Sequence, residues 1–308
     1  MNDKIYDTII VGGGMAGLTA AIYASRKRMK YEMIAGEFGG QFMESGEILN
    51  YPGIVKTTGI DLNTTMEEQM KFNNVKPISE WVKSVEVKTD APRTYIIKTD
   101  KNEYITKTAI ITTGARHRKL GVPGEEELAR KGVIYCSICD GPLFSGMDVA
   151  VVGGGNSALE AVDFMKDIAR KIYVIVKGDK FTAHEYLIEK AEKNEKVEII
   201  YGADTKEIIG DKFVKGLKYS VNGEEKEVKL QGIIVEIGMV PNTDLFKEFV
   251  ALDKHGHIII DCQTKTSQPG VFAAGDCASG HEYQYIIAAG QGCMALIKAA
   301  RYLASWMG

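Results

Sequence analysis

The sequence predicts an α/β fold in which one nucleotide-binding arrangement occurs twice, and three observations predict it. The first is a β-branched run ending in three glycines, Ile9-Ile10-Val11-Gly12-Gly13-Gly14-Met15-Ala16-Gly17. The second is its near copy, Ala150-Val151-Val152-Gly153-Gly154-Gly155-Asn156-Ser157-Ala158, with 141 residues from Gly12 to Gly153. That interval is too long for a solenoid repeat and suits two separate domains. The third is size: 308 residues, 45% hydrophobic and 26% charged, are enough for two cores in a globular protein.

Each copy reads as strand, tight turn and helix. In Gly12-x-Gly14-x-x-Gly17 the first glycine permits the turn and the second lets the backbone approach a pyrophosphate. The third lets helix and strand pack closely. The helix that starts at Met15 and Ala16 then points unpaired N–H groups at phosphates. Gly153-x-Gly155-x-x-Ala158, running through Asn156 and Ser157, has the same mechanics with alanine at the packing position. The two copies fit a pair of Rossmann-like dinucleotide-binding domains, a flavin site followed by a nicotinamide site.

Between the copies, Trp81 to Val87 and Arg93 to Lys98 alternate apolar and polar residues, as half-buried strands do. Lys107 to Ala115 reads as a buried strand ending in a glycine turn. The charged stretch from His117 to Lys131 follows it, which puts a domain boundary near residues 115–118. A second boundary falls where the strand at Ile234 runs into Gly238 and Pro241. From Val271 the chain reads as strand, turn and a long alanine-rich helix.

Just ahead of the second glycine cluster lies Cys136-Ser137-Ile138-Cys139-Asp140. Two cysteines in one turn can close to a disulfide and reopen, and Asp140 sets a carboxylate where a proton must move. Zinc would need two more ligands, yet Cys262, Cys277 and Cys293 are scattered singly and no histidine sits at a ligand spacing. The pair therefore reads as a redox dithiol, with no metal site expected.

The formal charge of −3 argues against nucleic acid as a partner. No apolar run approaches a membrane span, and Met1 to Asp7 lacks the features of a signal peptide. A cytoplasmic, reducing location is expected, where a Cys-x-x-Cys is catalytic rather than a structural staple.

Taken together, these landmarks resemble the low-molecular-weight thioredoxin reductase family over nearly the whole chain. The resemblance rests on Gly12 to Gly17, then Gly39-Gly40-Gln41 with Asn50-Tyr51-Pro52-Gly53, then Thr113-Gly114. It continues with the dithiol between the two fingerprints, and ends with Ala274-Gly275-Asp276, Gln284 and Gly290-Gln291-Gly292-Cys293-Met294-Ala295. It implies two three-layer Rossmann-like domains, one inserted into the other. An FAD-binding domain, 1–116 and 241–308, would flank an inserted NAD(P)-type domain, 117–240, carrying the dithiol.

For the cofactor, the resemblance implies that Gly12, Gly14, Met15, Ala16 and Gly17 hold the FAD pyrophosphate, with Gly36 and Glu37 near its adenosine end. Gln41 and Asn50 would contact the flavin side, and Gly40, Thr113 and Gly114 would be further cofactor-binding residues. Asp276 would bind the ribityl chain, with Gly275 beside it also cofactor-binding, and Gln284 would lie near the isoalloxazine ring. Gly153, Gly155, Asn156, Ser157 and Ala158 would take NADPH or NADH.

The implied activity is thioredoxin-disulfide reduction. Electrons would pass from a donor to FAD, to Cys136 and Cys139, and on to thioredoxin or a thioredoxin-like protein. Cys139 would be the flavin-facing sulfur and Asp140 the acid and base. The family is usually homodimeric and rotates its inserted domain, which makes Ala115–His117 and Val240–Asn242 the expected hinges. Gly141-Pro142-Leu143-Phe144 reads either as an apolar docking edge or as core packing.

Two departures leave the donor open. NADPH-dependent members carry His-Arg-Arg-Asp-x-x-Arg, whose arginines clasp the 2′-phosphate. Here the stretch is Val176-Lys177-Gly178-Asp179-Lys180-Phe181-Thr182, which keeps only Asp179, and Lys177, the single lysine at an arginine position, is a poor substitute for a guanidinium clamp. No acid ends the preceding strand either, as an NADH ribose site usually requires. The family's Tyr-Arg-Gln-Ala becomes Glu282-Tyr283-Gln284-Tyr285, placing an aromatic group beside Gln284. NADPH, NADH, ferredoxin and a deazaflavin are all donors to test. The alternative from a different class is an FAD-bound thiol redox sensor or binding module without steady turnover. Reductases serving peroxiredoxins carry an extra N-terminal domain, and ferredoxin–NADP reductases of similar fold lack the dithiol.

Overall fold

The computed structural model describes residues 4–41, 47–90, 93–280 and 282–305, apart from the side chains of residues 47 and 139. The chain divides into two compact units, Met1–Arg116 with Val240–Gly308, and His117–Met239. Both are α/β, with a mainly parallel sheet between layers, as expected of Rossmann-like domains.

The first unit contains β1 (Ile5–Val11), α1 (Met15–Arg26), β2 (Tyr31–Ile34), the short pair β3 (Glu47–Ile48) and β4 (Thr57–Thr58), and α2 (Gly59–Phe72). The antiparallel strands β5 (Val82–Asp90), β6 (Arg93–Thr99) and β7 (Glu103–Ile111) follow, then β8 (Ala115–His117) at the edge of the unit. Strand β1 pairs in parallel with β2 on one side and β7 on the other. The far side of β7 is shared, because its first half pairs with β6 and its last three residues pair with a strand from the end of the chain.

Period-two alternation makes three layers of this unit. Ile10, Met33 and Ile110 point into one core with helices α1 and α2, whereas Ile9, Val11, Ala109 and Ile111 point into the other with β5 and β6. Each core closes with residues from beyond 240, such as Phe272 and Leu296 in the first and Phe246 and Ile258 in the second.

The second unit starts with β9 (Val133–Ile134), the short helix α3 (Ser137–Asp140) and a single 3₁₀ turn, Gly141–Phe144. It continues as β10 (Asp148–Val152), α4 (Asn156–Met165), β11 (Lys171–Ile175), α5 (Glu185–Glu192) and β12 (Val197–Ile200). An antiparallel meander, β13 (Ala203–Gly210), β14 (Val214–Val221) and β15 (Glu224–Lys229), leads to β16 (Gly232–Val235). The sheet order β12-β11-β10-β16-β9 is parallel throughout. Val149 and Val151 face α4 and α5, and Ala150 and Val152 face the meander.

Strand β17 (Met239–Pro241) then pairs with β8. Strand β18 (Val271–Ala273) completes the first sheet on β7, and α6 (Tyr285–Ala304) packs along α1.

Strand β7 differs from the expected Lys107 to Ala115. It begins at Glu103, because β6 supplies partners from there, and it ends at Ile111. Thr112 leaves the strand and turns its hydroxyl to the Val11 carbonyl at 2.8 Å. No helix among the described residues is long and apolar enough to cross a membrane.

Candidate functional site

Two glycine turns and one disulfide turn make up the candidate machinery. At the first turn, Gly12 has φ +124°, and an added Cβ would stand 2.2 Å from the Thr112 carbonyl oxygen. Only glycine fits there. Gly17 is fixed by packing, since a Cβ would lie 2.1 Å from the Gly12 carbonyl oxygen. Gly14 is different. Its backbone is ordinary, with φ −84°, and among the described residues beyond its chain neighbours no atom lies within 4 Å of where its Cβ would be. The space above Gly14 is a cradle that a side chain would fill and that the described residues leave open.

Helix α1 opens onto that cradle without a side-chain cap or an acidic residue in its first turn. Its leading N–H groups are the unsatisfied donors that attract an anion. The flanking loops converge on the turn. Gly39 N–H donates to the Gly13 carbonyl at 3.1 Å, and an added Cβ on Gly40 would lie 3.2 Å from Gly14 Cα. Gly36 lies against Trp81, whose ring would be 2.2 Å from a Cβ.

The C-terminal segment reaches the same place. Gly292 of α6 packs on Ala16, and Gln291 Oε1 accepts the Gly275 N–H at 2.8 Å. Asp276, the next residue, is mostly buried, and burial lifts its carboxyl to about 6. Elsewhere in this unit, the Asn50 amide donates to Gln284 Oε1 at 3.2 Å. The Gln41 amide donates to the Ala115 carbonyl. Thr113 Oγ1 donates to the Asn242 carbonyl at 2.7 Å, and the Asn242 amide returns a bond to the Thr113 carbonyl at 3.0 Å. Thr112, Trp81, Asn242 and Gln291 were not singled out as site residues in the sequence, because their roles come from contacts between distant segments. The uncapped helix, open glycine and sequestered carboxylate fit a ligand with a pyrophosphate and hydroxyl groups.

The second turn repeats this logic with one change. Gly153 has φ +150°, and its Cβ would meet the Glu236 carbonyl oxygen at 2.1 Å. Gly155 has nothing nearer than Thr182 Oγ1 at 3.9 Å. Helix α4 is also uncapped. Ala158 occupies the third position, fully buried, where the first turn requires Gly17. Asn156 Oδ1 accepts the His184 N–H at 2.8 Å and thereby ties the loop after β11 to the turn. A cavity of about 680 Å³ opens here, lined by the glycines with Lys177, Lys180, Asp204 and Glu236. Burial raises the Glu236 carboxyl to about 7, opposed by the nearby His117 and reinforced by Glu160.

The disulfide turn belongs to the same unit. Cys136 is disulfide-bonded, whereas Cys262, Cys277 and Cys293 are free thiols. Asp140 N–H donates to the Cys136 carbonyl at 3.3 Å, so Cys136 to Asp140 form one helical turn. The backbone of Cys139 lies in that turn, and its side chain is outside the described atoms. Gly141 packs the turn onto Met165 and Phe164 of α4, the helix that springs from the second glycine turn. In the following loop Phe144 is buried and Leu143 is 72% exposed, so core packing and an open apolar edge both occur there. Among the described residues no cluster of histidine, cysteine or carboxylate could hold a metal ion.

Two nucleotide-type turns, one sharing its unit with a disulfide, define a class of flavin- or nicotinamide-linked disulfide oxidoreductases. Residues 6–301 match the pyridine nucleotide-disulphide oxidoreductase family. Thioredoxin reductase of Listeria monocytogenes is 38% identical over 98% of this chain and 95% of its own length. NADH dehydrogenase of Bacillus subtilis is 40% identical over 97% of this chain, which spans only 58% of that relative's length. The crystal structure of Lactococcus lactis thioredoxin reductase superposes with a TM-score of 0.86 at 35% identity, covering 97% of this chain and 99% of that one. The chain belongs to the low-molecular-weight thioredoxin reductase family of pyridine nucleotide-disulphide oxidoreductases.

Proposed function

We propose that this protein is an FAD-dependent thioredoxin-disulfide reductase whose working dithiol is Cys136 and Cys139. The observation that carries the reading is the disulfide-bonded Cys136 in a helical turn packed on α4, in the unit that holds the second nucleotide turn. When bound, FAD supplies two-electron storage between a donor and the dithiol. The cradle over Gly14, the α1 N-terminus and Asp276 would hold it, with Gly36, Glu37, Gln41, Asn50, Thr113 and Gln284 around it.

In the reduced protein one cysteine thiolate attacks a sulfur of the partner's disulfide. A mixed disulfide forms, and the partner's other sulfur leaves as a thiolate and takes a proton. The second cysteine then attacks the mixed disulfide, which re-forms the Cys136–Cys139 bond and releases the partner's remaining sulfur. Each cycle delivers two electrons and two protons to the partner. Asp140 lies in the same turn, and on this reading it gives and takes the proton of the outgoing and incoming thiols. On the same reading the protein works as a homodimer in a reducing cytoplasm, which sedimentation and cell fractionation check.

The deciding experiment has two arms. Photoreduced protein is mixed anaerobically with oxidised thioredoxin, and thioredoxin thiols are counted; transfer is expected, and its loss in Cys139→Ser assigns it to the dithiol. Flavin bleaching by NADPH, NADH, reduced ferredoxin and reduced deazaflavin, run side by side, identifies the donor. A purified protein without flavin, or photoreduced protein that leaves thioredoxin oxidised, would overturn the reading.

A further inference from the structure

At the end of the second strand of a dinucleotide-binding sheet, the protein meets either a ribose 2′-hydroxyl or a 2′-phosphate. A carboxylate suits the first and clustered cations suit the second. Strand β11 ends at Ile175, Val176 and Lys177 after it are not acidic, and the next acid, Asp179, is not among the residues that line the cavity. The fold brings one from another strand. Ala203 N–H donates to the Val176 carbonyl at 3.0 Å and Gly202 N–H to the Gly178 carbonyl at 2.9 Å, which lays the start of β13 along this segment. Asp204 thereby lines the same cavity as Lys177 and the glycine turn.

Asp204 is held there by two cations. Lys177 Nζ lies 3.2 Å from Oδ1, and Lys206 Nζ lies 2.6 Å from Oδ2. The two lysines hold the carboxyl below its usual range, Lys206 more strongly, so it is ionised at neutral pH. Lys177, the one cation left where the family has its arginine clamp, therefore already has an anionic partner. Arg118, Lys119 and Lys180 also line the cavity, and Lys119 is paired with Glu126 at 2.8 Å.

We propose that Asp204 is the specificity-determining residue of this cavity: a carboxylate supplied by β13 that accepts the ribose hydroxyls of an unphosphorylated nicotinamide dinucleotide and repels a 2′-phosphate. A hydroxyl pair can donate to Asp204 while both lysines stay in place. A phosphate dianion can bind Lys177 only by competing with Asp204, and it then faces the carboxylate as a like charge. The inference rests on the oxidoreductase reading only in requiring a nicotinamide ligand, and it is independent of the thioredoxin step.

Oxidised holoprotein is titrated calorimetrically with NAD⁺ and with NADP⁺, using wild type, Asp204→Asn, Asp204→Ser and Lys177→Ala. Wild type is expected to bind NAD⁺ at least tenfold more tightly than NADP⁺. Either Asp204 variant should shrink that ratio tenfold or reverse it, and Lys177→Ala should leave NAD⁺ preferred. Preference for NADP⁺, binding of neither nucleotide, or equal weakening of both by the Asp204 variants would overturn the assignment. None of those results bears on whether photoreduced protein reduces thioredoxin, so the two readings fail separately.

Discussion

Gln291 Oε1 accepts the backbone N–H of Gly275 at 2.8 Å, and this bond fixes the loop that carries Asp276 against helix α6. Gln291→Ala would leave that N–H without its acceptor, at a cost of about 1–3 kcal/mol. The expected outcome is a lower melting temperature together with lower flavin occupancy, read by the ratio of flavin to protein absorbance. An unchanged flavin ratio would separate Asp276 from cofactor binding.

Gly12 and Gly14 should fail in different ways. Gly12→Ala forces a Cβ into the Thr112 carbonyl at a left-handed backbone position, so soluble folded protein should be largely lost. Gly14→Ala meets no atom of the described residues beyond its chain neighbours within 4 Å and should fold with a near-native melting curve. Flavin retention should nevertheless collapse, because the methyl group fills the cradle. Normal flavin content in Gly14→Ala would show that the open space is not the pyrophosphate site.

Glu236 gives a pH signature of stability. Its carboxyl is raised to about 7 in the folded protein from an ordinary value of 4.5, so the fold favours the protonated form. Below pH 4.5 the group is protonated in both states and costs nothing. As pH rises toward 7 the unfolded chain releases its proton first, and stability falls. At pH 8 the burial costs on the order of 3 kcal/mol. Glu236→Gln, which mimics the protonated acid, should therefore melt higher than wild type at pH 8, with the gain vanishing near pH 4.5. A gain of equal size at both pH values would point to packing instead.

Thiol counting tests the disulfide assignment. Denatured without reductant, the protein should expose three thiols, Cys262, Cys277 and Cys293, and all five cysteines after reduction. Cys136→Ser and Cys139→Ser should each expose one thiol more than unreduced wild type, because the remaining member of the pair is released. A count of five without reductant in freshly purified, air-exposed protein would remove the disulfide from the mechanism.

The sequence by itself determined the repeated glycine turn, the α/β class, the family and the Cys-x-x-Cys. These are local signals: a turn that needs positive φ at Gly12 or Gly153, a helix start behind it, and two cysteines one turn apart act through neighbours in the chain. Tertiary structure alone decided which atoms those turns meet. Thr112 stands against Gly12 because β7 pairs with β1, and Glu236 stands against Gly153 because β16 pairs with β10. Asp204 joins Lys177 only because the meander begins beside β11. Such partners are set by sheet register between segments far apart in sequence, and no spacing within either segment encodes them. The site at Gly14 was legible as a motif, but the empty space above it became visible only once the surrounding loops were in place.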